Sequence, residues 1–242
     1  MTTPQPDTKL CGLLVIDKPL GWSSMTVCRE VRGAAGGRVK GPNKLKVGHA
    51  GTLDPLATGV LVVCVGKATR RVDQIMGQGK VYEATIDLSA FTASDDAETP
   101  REEVQVDHPP TVEQIDAALT QQTGLIEQVP PNFSAVHVDG QRAYKAARQG
   151  ESLDLKPRQV RIDAIERLAY DWPVLQLRIA CGKGTYIRSI ARDLGQLLYT
   201  GGHLTALRRT AVGGYTVDQA FPVESLADGL TQQDLLPVPF GV

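Results

Sequence analysis

The chain has 242 residues, 42% hydrophobic and 22% charged, the composition of an ordinary folded protein with one large domain, or one domain and a small appendage. A formal charge of −1 excludes a uniformly basic nucleic-acid binder, so any RNA-binding surface must come from local clustering. Cys11, Cys28, Cys64 and Cys181 are far apart and form no C-x-x-C pair, which argues against a disulfide framework or a zinc site and for small buried hydrophobes.

The polar stretch Met1 to Thr8 has no apolar signal core, and the longest aliphatic run, Val60 to Val65, is too short to span a bilayer. A cytoplasmic protein with no membrane contact is the expectation. Gly12 to Ile16 reads as a buried strand and Asp17 to Gly21 as a turn. Ser23 or Ser24 can cap a helix with Val27 and Val31 on its inner face. From Lys18 to Lys46 there are seven basic residues and one acidic, Glu30, in a stretch that becomes a glycine-rich loop. The loop Gly48 to Gly59 then leads into a strand, Val60 to Val65.

Lys80 to Leu88 alternates, with Tyr82, Ala84, Ile86 and Leu88 on the apolar face of a half-buried strand. Ser94 to Asp107 is acidic and reads as a solvated loop. Thr111 and Gln114 form a capping box for a helix that ends near Gly124. Phe133 to Val138 can form a strand with Asp139-Gly140 as its turn, followed by a short helix carrying Arg142, Tyr144, Lys145 and Arg148. Two strands, Val160 to Ala169 and Val174 to Cys181, precede a helix opened by Gly184-Thr185, with Ile187, Ile190, Ala191, Leu194 and Leu198 inward. His203 to Arg209 is a last strand, and no Lys or Arg follows it. The irregular mixture of strands and helices predicts α+β with a mainly antiparallel or mixed sheet.

The segment Gly48-His49-Ala50-Gly51-Thr52-Leu53-Asp54-Pro55-Leu56-Ala57-Thr58-Gly59 holds three glycines, a proline and small residues, the composition of a tight loop. It sets one carboxylate beside a histidine and hydroxyls. Local composition alone is equally met by an Asx-turn or helix cap made by Asp54. Gly182-Lys-Gly-Thr185 suggests a phosphate-binding loop, but such a loop needs a glycine where Leu177 stands; Gly66-Lys67 fails in the same way at Leu61.

The loop resembles the catalytic-aspartate motif of the B-family tRNA pseudouridine synthases. Gly12-Leu-Leu-Val-Ile-Asp-Lys-Pro-Leu-Gly-Trp-Ser-Ser24 resembles the first motif of that family, and Lys80-Val-Tyr-Glu-Ala84 its tyrosine strand. Pro130 to Tyr144 with Ala147 to Gly150 resembles its RNA-gripping insertion; Cys181 to Ser189 and Gly202 to Arg209 resemble its closing motifs. The series runs in order from about residue 11 to 215. Two stretches depart from the pattern: Ser89 to Asp96 lacks the glycine common before this loop, and His137 stands where a lysine is often seen.

The resemblance implies the pseudouridine-synthase fold: a central mixed, mainly antiparallel sheet, flanking helices and an inserted RNA clamp near residues 130–153. The expected layout is a disordered N-terminus at 1–10, a catalytic domain at 11–215 and a short tail at 216–242 without a PUA-type RNA-binding appendage. The reaction implied is isomerisation of the T-loop uridine at tRNA position 55, with Asp54 as nucleophile. It breaks a C–N bond and makes a C–C bond to the same base, so it is redox-neutral and calls for no cofactor and no metal. A glycoside hydrolase would offer paired carboxylates, whereas a single one stands in a strong motif here. Attack on the ribose, addition to the base and assisted elimination are all compatible with one carboxylate.

An ionised carboxylate in a partly dry pocket needs a nearby cation to offset desolvation. The resemblance makes that cation Arg188. It makes Tyr82 the ring stacked on the uracil and a proton relay, and Tyr186 and Leu207 walls of the pocket. His49 would hold the base in its extruded position. Phosphate contacts are expected from the Arg29 to Lys46 segment (Arg38, Lys40 and Lys46 above all), from Arg142, Lys145 and Arg148, and from Arg208 and Arg209. The acidic stretch Asp95 to Asp107 should face away from RNA. The expected partner is the tRNA T-stem-loop, engaged by a monomer with no obligatory protein partner. A tRNA-binding folding helper without catalysis is the rival reading, opposed by the intact set Asp54, Tyr82 and Arg188.

Overall fold

A computed structural model describes residues 10–36, 45–134, 137–138, 141–149 and 153–239; at 137, 138, 141, 142, 145, 147 and 148 it describes the backbone alone. The chain divides into two units, residues 1–80 with 208–242 and residues 81–207.

Unit 1 opens with β1 (Gly12–Lys18), which carries the apolar run two residues further than the sequence suggests. Ser23 caps α1 (Ser24–Ala34) by accepting a hydrogen bond from the Thr26 amide, and Val27, Cys28 and Val31 form its buried stripe. β2 (Val47–His49) and β3 (Ala57–Val65) enclose the glycine-rich loop, and α2 (Val72–Met76) follows. β3 is apolar at nearly every position because both of its faces are covered. It pairs antiparallel with β1, Lys18 opposite Gly59, and with β2, His49 opposite Val63. Leu13, Val15, Val60, Val62, Cys64, Ile75 and Val212 form the core of this unit.

In unit 2, apart from its first residue, lies β4 (Lys80–Asp87), whose alternation buries Tyr82, Ala84 and Ile86 as expected. A small hairpin, β5 (Ala90–Thr92) with β6 (Arg101–Glu103), precedes α3 (Val112–Gln121), which starts at the predicted Thr111–Gln114 capping box. β7 (Gly124–Gln128) comes next, then a short hairpin of β8 (His137–Val138) and β9 (Gln141–Arg142), then α4 (Ala143–Arg148). Arg142 thus stands on a strand, one residue before the helix expected to carry it. β10 (Arg158–Asp171) pairs antiparallel with β7 and with β11 (Val174–Cys181). The inner face of α5 (Ile187–Leu198) is Ile187, Ile190, Ala191 and Leu194, and α3 packs on it. Leu198, expected inward, is half-buried.

β12 (His203–Val212) begins in unit 2, where the order is β12–β4–β11–β10–β7, and ends in unit 1, where it is β14–β1–β3–β12. β13 (Tyr215–Thr216) returns on β12, and β14 (Phe221–Pro222) joins β1 in parallel, so the sheet is mixed and the class α+β. Residues 216–239, expected as a tail outside the catalytic domain, are built into unit 1. Leu13 and Leu236 exchange backbone hydrogen bonds of 2.9 and 2.8 Å, and Leu226, Leu230 and Leu235 are buried. The segment covers an edge of β1 that would otherwise present unpaired backbone.

Candidate active site

The Asp54 loop is tied to unit 1 from several sides. Ser24, the first residue of α1, is buried; its Oγ donates to the Leu53 carbonyl at 3.0 Å and accepts from the Leu53 amide at 2.8 Å. The amide of Gly21 donates to Pro55 O at 2.8 Å, and that of Ala50 to Val62 O at 2.8 Å. Asp54 O accepts from Ala57 N, closing the turn into β3. That bond is a backbone turn and not an Asx-turn made by the side chain; Asp54 itself is half-buried in a loop whose neighbours are fixed.

Two buried cations lie behind this loop. Lys18 at the end of β1 is fully buried; its ammonium donates to Pro19 O at 2.9 Å and Trp22 O at 2.6 Å. Burial brings its pKa down to about 8, against the pull of Asp54 and with a push from Arg209. Arg209 is 1% exposed, and its guanidinium donates to Val60 O at 2.8 Å, Gly51 O at 3.1 Å and Thr52 O at 3.4 Å. The expectation that Arg209 grips phosphate is therefore corrected: a buried side chain spent on three backbone carbonyls is out of reach of RNA. Arg208 alternates to the other face, where it pairs with Asp17 at 2.7 and 3.0 Å while remaining partly exposed. His49, on β2, is half-buried, and its Nδ1 is buried with no hydrogen-bond partner among the described residues. Burial first, and the Arg209 charge second, lower its pKa, which favours the neutral imidazole.

Unit 2 carries Tyr82, Tyr186, Arg188 and Leu207. Tyr82 is buried on β4, and Leu207 is half-buried on β12. Tyr186 is the N-cap of α5 and is clamped by a residue that sequence reasoning missed. The fully buried Gln128 accepts from the Tyr186 amide at 2.8 Å and donates to its carbonyl at 3.1 Å. The Arg158 guanidinium lies 4.7 Å from the centre of the Tyr186 ring.

Arg188 is buried. It pairs with Asp96 at 3.3 Å and donates to Ser94 O at 3.1 Å and Phe133 O at 2.9 Å. One turn along α5, Arg192 meets Asp95 at 2.9 Å. The reading of Ser94 to Asp107 as a solvated loop is thus wrong at its start. Ser94, Asp95 and Asp96 are buried, and only from Glu98 onward are the acidic residues exposed. The missed signal was two arginines four apart on an apolar helix, which need buried carboxylates opposite. Asp95 adopts a left-handed backbone (φ 59°), and burial raises its pKa to about 6 in spite of Arg192 and Arg188.

Of the predicted RNA contacts, Lys46 is exposed just before β2, as a phosphate ligand must be. Arg38 and Lys40 lie outside the described residues, and so do the side chains of Arg142, Lys145 and Arg148. Cys28 and Cys64 are buried, with thiol pKa values pushed up by burial to about 11 and about 12; Cys181 is buried and Cys11 half-buried. No helix among the described residues is long and apolar enough to cross a membrane.

Comparison with known proteins is consistent along the chain. The model for the N-terminal domain of TruB family pseudouridylate synthases matches residues 38–187, and that for the tRNA pseudouridylate synthase B C-terminal domain matches residues 188–236. The chain is 46% identical over 226 residues to the tRNA pseudouridine synthase B of Phocaeicola vulgatus, covering 92% of this chain and 94% of that one. It is 48% identical over 236 residues to the enzyme of the same name from Thermobifida fusca, covering 93% and 77%. Among solved structures, a Cbf5-Nop10-Gar1 complex contains a chain that matches with a TM-score of 0.69 and 26% identity over 93% of this chain. This chain spans 60% of the length of that one.

Proposed function

The chain belongs to the TruB family of pseudouridylate synthases, and on that premise we propose that it converts the T-loop uridine at tRNA position 55 to pseudouridine, with Asp54 as nucleophile. The observation that carries the reading is the Asp54 loop itself. A motif that could have been an ordinary turn is held at Leu53, Pro55, Gly51 and Thr52 by three other residues of unit 1, Ser24, Gly21 and Arg209, which is the rigidity an attacking carboxylate requires.

In this reading the target base leaves the folded tRNA and enters the site. The C1′–N1 bond breaks, the uracil turns, C5 bonds to C1′, and the C5 proton is lost as N1 gains one. Atoms and electrons balance within the substrate, so the chain's own groups suffice. Tyr82 stacks on the uracil and relays the proton, Arg188 supplies the cation for Asp54, and Tyr186 and Leu207 bound the base. The neutral His49 fits the task of holding an extruded conformation without adding charge. Lys46 and Arg208 contact phosphate, with Arg38, Lys40, Arg142, Lys145 and Arg148 completing the grip. The protein acts in the cytoplasm as a monomer.

The test uses unmodified tRNA without added cofactor, wild-type protein and Asp54→Asn. Wild type should form pseudouridine in the T-loop. Asp54→Asn should bind the same tRNA yet fall at least about 1,000-fold in single-turnover rate, because a neutral amide is a poor nucleophile. Turnover by the variant at the wild-type rate would remove Asp54 from the mechanism. Tight tRNA binding by wild type without product would favour a folding helper.

A further inference from the structure

We propose that Arg209 is a positioning residue for Asp54, a buried cation whose task is to fix the catalytic loop rather than to touch RNA or the reacting base. The inference rests on the reading of Asp54 as nucleophile.

The physical oddity is how this guanidinium is held. Arginine buried in a protein is usually paired with a carboxylate. Among the described residues Arg209 makes no ion pair; its three contacts are the neutral carbonyls of Gly51, Thr52 and Val60. Those carbonyls bracket Asp54 in sequence, two before it and one after, so one rigid planar group spans both arms of the loop. Lysine could not do this, since its ammonium is a point donor that cannot reach carbonyls lying on both sides of a fork. Methionine could fill the space but would leave these three carbonyls without their guanidinium donors.

The root of the side chain is fixed as firmly as its tip. Gly59 sits at φ +96°, and a Cβ there would lie 2.2 Å from the Arg209 carbonyl oxygen. The glycine that closes the Asp54 motif is thus explained by the close approach of β3 to the Arg209 backbone. Gly51 is the other end of the same packing: its φ is +111°, and a Cβ would come 3.6 Å from a guanidinium nitrogen. Arg209 also carries its charge to the neighbouring His49 and Lys18, where it favours the uncharged forms.

The experiment compares Arg209→Lys, Arg209→Met and Arg209→Gln with wild type. Three quantities are read on unmodified tRNA and free protein: single-turnover rate of pseudouridine formation, tRNA dissociation constant, and the His49 pKa from ring NMR shifts. Loss of loop geometry should lower the rate by about 100-fold in each folded variant, with affinity within about threefold of wild type. The His49 pKa should rise in the Met and Gln variants, which lack the charge, and stay near wild type in Arg209→Lys. That divergence separates positioning from general loosening, which would move rate and affinity together. A folded Met or Gln variant at the wild-type rate overturns the proposal. So does a loss of affinity equal to the loss of rate, which is the result expected of general loosening or of direct RNA contact. Failure of all three variants to fold would assign Arg209 to folding alone. If Asp54→Asn remained active, the reading beneath the proposal would fall instead, whatever Arg209 does.

Discussion

Arg209 in unit 1 and Arg188 in unit 2 are both buried, yet their surroundings differ. Arg188 pairs with Asp96, itself held by the Ser94 hydroxyl at 2.6 Å and the Glu98 amide at 3.0 Å, in addition to two carbonyls. Arg209 leans on loop carbonyls and on the field of nearby groups. A carboxylate partner offsets more of the desolvation that burial imposes on the charge. Carbonyl partners leave the formal charge intact and convert it into backbone geometry. Among the described residues the two units thus hold buried arginine differently: a carboxylate and two carbonyls meet Arg188 on α5, whereas three carbonyls meet Arg209 beneath the Asp54 loop.

The largest expected effect breaks the unit 2 side of this contrast. Asp96→Asn keeps the shape and removes the charge from the buried Arg188–Asp96 pair. Breaking such a pair costs roughly 3–5 kcal/mol. Chemical denaturation at pH 7 should show a lowered midpoint with an unchanged slope, and a loss below about 1 kcal/mol would mean that the other partners of Arg188 suffice without Asp96.

A smaller effect sharpens the contrast through pH. Asp95 has a folded pKa near 6 against an ordinary 3.8, so between about pH 4 and 6 the folded protein binds more protons than the unfolded one. Stability from this group therefore falls as pH rises through that window, by on the order of 3 kcal/mol, and is flat above it. Lys18 has a folded pKa near 8 against 10.5, so between those values the unfolded protein binds more protons and stability rises with pH. The two units thus slope in opposite directions in separate windows. Asp95→Asn should flatten the acidic slope alone, and Lys18→Met the alkaline slope alone. Stability profiles measured from pH 4 to 10.5 decide it: if either substitution flattened both windows, or neither, the assignment of the slopes would be lost.

What could be read from the sequence was whatever depends on near neighbours. The alternation of Tyr82, Ala84 and Ile86, the Thr111–Gln114 capping box and the stripe Ile187, Ile190, Ala191 and Leu194 are local patterns, and all formed as expected. The Asp54 motif is also contiguous, so the candidate nucleophile was legible. The errors are long-range. Asp95 and Asp96 read as solvated because their arginines stand on a helix some 90 residues on. Arg209 read as a phosphate ligand because it adjoins Arg208, yet period-two alternation sends neighbouring strand residues to opposite faces. Residues 216–239 looked like a tail because edge-covering by Leu236 is a backbone pairing with a strand more than 200 residues earlier, which no local pattern encodes.

A third arginine completes the series at its weak end. Arg167 on β10 holds Asp116 of α3 with a fork-like geometry, at 2.8 and 3.0 Å, closer than the Arg188–Asp96 pair. The Arg167–Asp116 bridge raises the arginine pKa and lowers that of the aspartate, as an attractive pair must. Yet both groups reach solvent, where water already satisfies each charge and the pair must also immobilise two side chains. Asp116→Ala should therefore leave the denaturation midpoint within experimental error of wild type, and added salt should erase any residual difference. A clear loss of stability at this exposed site would show that fork geometry sets the value of an arginine in this fold. The expected null effect leaves burial as the deciding variable, and with it the argument that Arg209, buried without an acid, is kept for what it does to the loop.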